Sequence, residues 1–164
     1  STLEKEAGFT LATWQHRPES SGYVRAKNTD PFNNPEIQPN YLQSETDQRV
    51  MVEAIKICRG LTQTNALKPY FVEETYPGMH CVSDDDLLNS AREIGQSIYH
   101  LMGTCQMGPK TNRMSVVDHQ LKVHGLQNLR VIDASIMPTM VSANLNAAVM
   151  MIAEKGADLI LGRN

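Results

Sequence analysis

Leu129-Arg130-Val131-Ile132-Asp133, then Ala134-Ser135-Ile136-Met137-Pro138-Thr139, then Asn144-Leu145-Asn146-Ala147, is the stretch on which the reading of this chain turns. Its first five residues predict a strand that ends in an acidic residue. Ala134 to Ala143 is rich in small residues and predicts a loop. Asn144 to Leu161 predicts the final helix. Ala147, Met150, Met151, Ala157, Ile160 and Leu161 give it a broad apolar face, and Asn144 or Asn146 can cap it. A strand, a loop of small residues and a helix start make a place for a ligand. The helix N-terminus offers unpaired N–H groups and a partial positive charge. Small residues let a planar ring or a pyrophosphate approach the backbone.

Working outward, His100 to Gly108 holds two glycines and no periodicity. His100 follows a predicted helix, and a histidine is the natural general base near neutral pH. Spacing alone does not separate that role from a packing histidine, nor Asn144-x-Asn146 from a plain helix cap. The preceding helix is predicted over Ser83 to Tyr99. Ser83 is its N-cap, Asp84, Asp85 and Asp86 complement its dipole, and Leu87, Leu88, Ala91, Ile94 and Ile98 form its apolar stripe. The three aspartates lack the spaced ligands of a calcium loop. Val116 to Asp118 and Leu121 to Val123 predict short strands around a turn.

Further upstream, Tyr23 to Lys27 predicts a strand entered through a turn, and Asn28 to Pro35 a loop. Ile37 to Leu42 predicts a short edge strand, since Pro39 cannot donate to a ladder. Thr46 to Leu61 predicts a helix through Val50, Met51, Ala54, Ile55, Cys58 and Leu61, with Asp47 in its first turn. Leu67 to Met79 carries Pro69, Pro77 and Gly78 and predicts a loop with one short strand.

Composition narrows the class. The 164 residues carry 15 Lys plus Arg against 18 Asp plus Glu, a net charge of −3, which argues against a nucleic-acid surface or a polybasic membrane patch. Hydrophobic residues at 41% suit a globular chain, and no run reaches the roughly 18 apolar residues of a spanning helix. Ser1 to Glu6 carries both signs of charge and no apolar signal core. Cys58, Cys81 and Cys105 are odd in number and form no Cys-x-x-Cys pair, so a cytoplasmic setting is expected, with a membrane-peripheral position open. His80, Cys81, His100 and Cys105 can be drawn as a zinc set, but adjacent ligands suit one tetrahedral ion poorly.

His100-Leu101-Met102-Gly103-Thr104-Cys105, Val123-His124-Gly125, Asp133-Ala134-Ser135 and Asn144-Leu145-Asn146, in this order, resemble the C-terminal part of the glucose–methanol–choline oxidoreductases. These flavoenzymes oxidise alcohols with FAD. The resemblance is dense from His100 to Ile160 and looser from Pro18 to Leu61.

It implies an α+β fold: an antiparallel substrate-binding sheet backed by helices, with a last strand and helix that return to an FAD-binding domain absent here. Residues 1–164 would form one domain, 1–99 mainly substrate-binding and 100–164 reaching the active site and flavin. By this resemblance His100 matches the base that takes the hydroxyl proton, and Asn144 its partner on the same oxygen. Asp133 and Ala134 would lie by the ribityl–pyrophosphate part of FAD, and Leu145 and Asn146 under the flavin pyrimidine edge. The partners implied are a small-molecule alcohol and the missing N-terminal FAD-binding half. No Gly-x-Gly-x-x-Gly turn occurs in the chain, so the isolated chain is expected to be silent. A cyanohydrin-cleaving lyase of the same family and a non-catalytic binding module are the alternatives.

Overall fold

A computed structural model of the chain describes residues 7–163. The charged opening, Ser1 to Glu6, lies outside them. The elements run β1 (Tyr23–Arg25), β2 (Glu36–Gln38), α1 (Glu45–Thr62), α2 (Asp84–Ile94) and α3 (Leu145–Leu161), with 3-10 turns at Lys68–Tyr70 and Ala134–Ile136. They fall into two compact units. Residues 7–15 and Leu42–Gln96 form the first; His16–Tyr41 and residues 97–163 form the second. The segment carrying β1 and β2 joins the C-terminal portion rather than the helices that follow it. One tie is the Arg17 Nε donor to Ser142 Oγ.

In the first unit each helix end is specified locally. Ser44 Oγ accepts from the Thr46 N–H at the start of α1. At α2, Ser83 Oγ accepts from the Asp86 N–H, and the Asp86 carboxylate accepts from the Ser83 N–H, a reciprocal capping box. Asp47, in the first turn of α1, is buried and accepts from Gln15 Nε2 at 2.8 Å. The core is Val52, Cys81 and Leu87, flanked by Ile55 and Leu88. The loop after α1 holds no strand; it is fastened by Arg59. That guanidinium donates to both Glu74 oxygens (2.8 and 2.7 Å) and to the carbonyls of Cys81 and Gly78. Helix α2 stops at Ile94, five residues short of the predicted Tyr99. Gly95 turns extended, with ψ 142°.

The second unit contains the antiparallel sheet. β1 and β2 pair antiparallel over three residues each, Tyr23 opposite Gln38 and Arg25 opposite Glu36, and Val24 and Ile37 stay exposed. Among the described residues the antiparallel sheet comprises these two strands, and three α-helices accompany it in the chain. The strand-like stretches around 117, 123 and 130 meet only through single bridges, because left-handed residues such as Leu121 and Asn128 turn the chain between them. The core is therefore assembled from loops and one helix: Val117, Leu121, Ile136, Met137, Leu145 and Ile152. Helix α3 docks closely through Gly156, where a Cβ would lie 2.4 Å from Ile132 Cγ2.

Candidate active site

His100 is half-buried in the second unit and held from two sides. Its Nδ1 lies 2.6 Å from the Ile98 carbonyl oxygen, and its Nε2 lies 2.8 Å from Asn144 Oδ1, across 44 residues of chain. A carbonyl oxygen only accepts, so Nδ1 carries a proton. Nε2 then has two ways to meet the Asn144 amide. A neutral ring accepts there from the amide nitrogen; a protonated ring donates to the amide oxygen. An asparagine serves both by turning its amide.

The chain after His100 is anchored through its backbone, with Met102 and Met107 packed against the core. Gly103, Cys105 and Met107 donate in turn to the carbonyls of Ala134, Ser135 and Ile136, at 3.4, 2.9 and 2.8 Å. The His100 segment thus lies along the 3-10 turn that leads toward α3. Gly103 has φ +85°, and a Cβ there would sit 3.4 Å from the Met137 carbonyl, so the close passage is suited to glycine.

Asn144 is at the N-cap position of α3, yet its side chain makes no cap hydrogen bond. It is spent on His100 instead. The opening amides of α3 therefore have no side-chain partner from their own cap, which leaves donors and a partial positive charge at that end. Leu145 is buried in the core, so only its backbone is available to a ligand, whereas the Asn146 side chain is exposed. Asp133 is exposed and accepts from the Ser135 N–H at 2.8 Å, capping the 3-10 turn; Ala134 follows it in that turn.

Sequence reasoning missed two contributors. The Ile98 carbonyl is a backbone group that no side-chain pattern announces. Tyr99, read as the end of a helix, has φ +60° and an 86% exposed side chain. A left-handed aromatic residue costs about 1–2 kcal/mol, and such strain gathers at functional sites. Among the described residues no group of three or more His, Cys, Asp or Glu side chains is arranged to hold a metal, which leaves the zinc set unassembled. None of their helices is long and apolar enough to cross a membrane.

Comparison with known proteins bears on the same residues. A family model described as GMC oxidoreductase matches residues 18–153. An oxygen-dependent choline dehydrogenase of Acinetobacter baumannii strain AYE is 43% identical over 163 residues, 99% of this chain and 29% of the relative. One from Staphylococcus saprophyticus is 42% identical, over 95% of this chain and 28% of its own length. Among solved structures, pyridoxine 4-oxidase from Mesorbium loti superposes with a TM-score of 0.79 at 31% identity, over 91% of this chain and 29% of that one. Formate oxidase gives 0.76 at 32%, over 87% and 25%. The chain spans under a third of the length of these relatives, and it belongs to the GMC oxidoreductase family.

Proposed function

We propose that this chain is the substrate-side and active-site portion of an FAD-dependent alcohol dehydrogenase of the choline type, with His100 as its base. The observation that carries the reading is the 2.8 Å approach of His100 Nε2 to the Asn144 amide at the start of α3. The residues also fit the cofactor. The uncapped α3 amides suit the electron-rich pyrimidine edge of a flavin, and the exposed Asp133 with the partly buried Ala134 beside it suits its ribityl–pyrophosphate portion.

The chemistry that FAD supplies when bound is acceptance of a hydride from the alcohol carbon. His100 supplies the rest of the balance by taking the hydroxyl proton at Nε2. With Nδ1–H held on the Ile98 carbonyl, Nε2 is the atom left to accept it. Asn144 presents its amide nitrogen to the substrate oxygen or to the neutral ring, and its amide oxygen to the ring once protonated. That positions the alcohol and follows the proton. The α3 dipole stabilises negative charge developing beside Leu145 and Asn146. Choline as the substrate, and oxygen as the final acceptor, are supported by the relatives' names. A cytoplasmic setting suits the three unpaired thiols.

The test is made with the complete enzyme and with this chain alone. The complete enzyme reduces a redox dye in an alcohol-dependent way, with choline among the substrates; the chain alone does not. Dye reduction by the chain alone, or cyanohydrin cleavage without dye reduction by the complete enzyme, contradicts the reading.

A further inference from the structure

We propose that Tyr99 is a positioning residue: its left-handed backbone bends the chain so that the Ile98 carbonyl holds the proton of His100 on Nδ1 and leaves the Nε2 lone pair facing Asn144. The proposal deepens the reading of His100 as a base and rests on it for its meaning, though not for its test.

The observations come from one turn. Ile98, Tyr99 and His100 are consecutive, and the Ile98 oxygen accepts from a ring two residues later at 2.6 Å. Such a short return needs the intervening residue to reverse the chain. Tyr99 does so at φ +60°, with its N–H donated to Ser97 Oγ at 3.0 Å. Nothing in the packing of the Tyr99 side chain accounts for the conformation, since that side chain is 86% exposed.

The consequence is chemical. A free histidine side chain favours the tautomer with its proton on Nε2, which would present a donor to Asn144 and could not take a hydroxyl proton there. A hydrogen bond at the other nitrogen decides which tautomer is present. The Ile98 carbonyl is a fixed acceptor at that other nitrogen, whereas the Asn144 amide can turn its nitrogen in place of its oxygen toward Nε2, so the carbonyl sets the ring before any substrate arrives. A left-handed position is tolerated best by glycine, then by asparagine, and worst by a β-branched residue. The three therefore form a graded series in which only the backbone preference is at issue.

The experiment labels the histidine rings with 15N and records two-bond proton–nitrogen correlations above pH 8, where an ordinary imidazole is neutral. It is run on the full chain and on the FAD-loaded complete enzyme. Expected is a proton on Nδ1 of His100 in the unaltered protein and in Tyr99→Gly and Tyr99→Asn. Tyr99→Val returns the proton to Nε2 while the other His100-independent signals keep their positions. In the complete enzyme Tyr99→Val then lowers kcat at least tenfold, and by more than Tyr99→Gly does. A proton on Nε2 in the unaltered protein overturns the proposal by itself, even if Tyr99→Val fails to fold. So does an Nδ1–H tautomer that survives in a folded Tyr99→Val. The two readings fail separately. An Nδ1–H tautomer with full activity in His100→Ala would sink the base and keep the device; an Nε2–H tautomer with an inactive His100→Ala would do the reverse.

Discussion

The two units treat their helix starts in opposite ways. In the first, Ser44 and Ser83 each turn back onto their own helix, and Ser83 with Asp86 closes a full box. In the second, the residue at the same position of α3, Asn144, gives its side chain to His100 and leaves the helix uncapped. The rest of each unit follows suit. The first has a bidentate Arg59–Glu74 pair behind its loop. Among the described residues other than glycine the first has one left-handed position, Leu42; the second has four, Asn40, Tyr99, Leu121 and Asn128, and a core assembled largely from irregular segments. Where a unit's polar groups satisfy each other, they serve stability. Where they are left open or strained, they are available for chemistry.

The two caps, Ser83 and Asn144, should respond to alanine in opposite ways. Asn144→Ala in the complete enzyme lowers kcat/KM by about 10- to 100-fold, the scale of a lost positioning contact, while thermal unfolding changes little. Ser83→Ala does the opposite, lowering stability by about 1 kcal/mol and sparing kcat. Matching stability losses for the two variants would erase the distinction. Next in size, Arg59→Met leaves the mostly buried Glu74 carboxylate and two carbonyls without their donor. Chemical denaturation should show a loss of about 2–3 kcal/mol. Gly156→Ala tests the second unit through packing alone. Its new Cβ meets Ile132, so stability falls by about 1–3 kcal/mol, and Ile132→Ala in the same chain restores part of it.

The smallest effect is a pH dependence, present in each unit. Asp86 is held below the usual carboxylate range by the Ser83 hydroxyl and by the N–H groups of Ser83 and Val82. At Asp118 partial burial pushes upward but is outweighed by the N–H groups of Lys122 and Gln120, so it too lies low. A carboxylate lowered on folding adds stability above its unfolded pKa and loses it as pH falls through the folded one. Melting temperature should therefore decline on acidification below the ordinary carboxylate range. Asp86→Asn and Asp118→Asn should each flatten that decline; a slope unchanged in both would refute the assignment.

How much of this the residues announce follows the same division. All three helices are legible because their signals are local: spaced apolar residues, Ser83 with its aspartates, an apolar Ala147-to-Leu161 face. The end of α2 is not. The stripe continues through Ile98, and only the extended Gly95 ends the helix. The strand-like stretches at 116–118, 121–123 and 129–133 have the right composition, yet pairing depends on register, and the turns between them permit single bridges only. In the site, His100 and Asn144 are 44 positions apart, so they are connected through family resemblance rather than spacing. The Ile98 carbonyl has no letter of its own, and the left-handed Tyr99 breaks a preference that sequence reasoning would have trusted.

The central claim is that His100 takes the substrate proton. The most direct measurement is the rate at which alcohol bleaches the flavin in the FAD-loaded complete enzyme, compared in a rapid-mixing experiment with His100→Ala. The account predicts a fall of about 10²-fold or more with cofactor binding retained. An unchanged bleaching rate would contradict it.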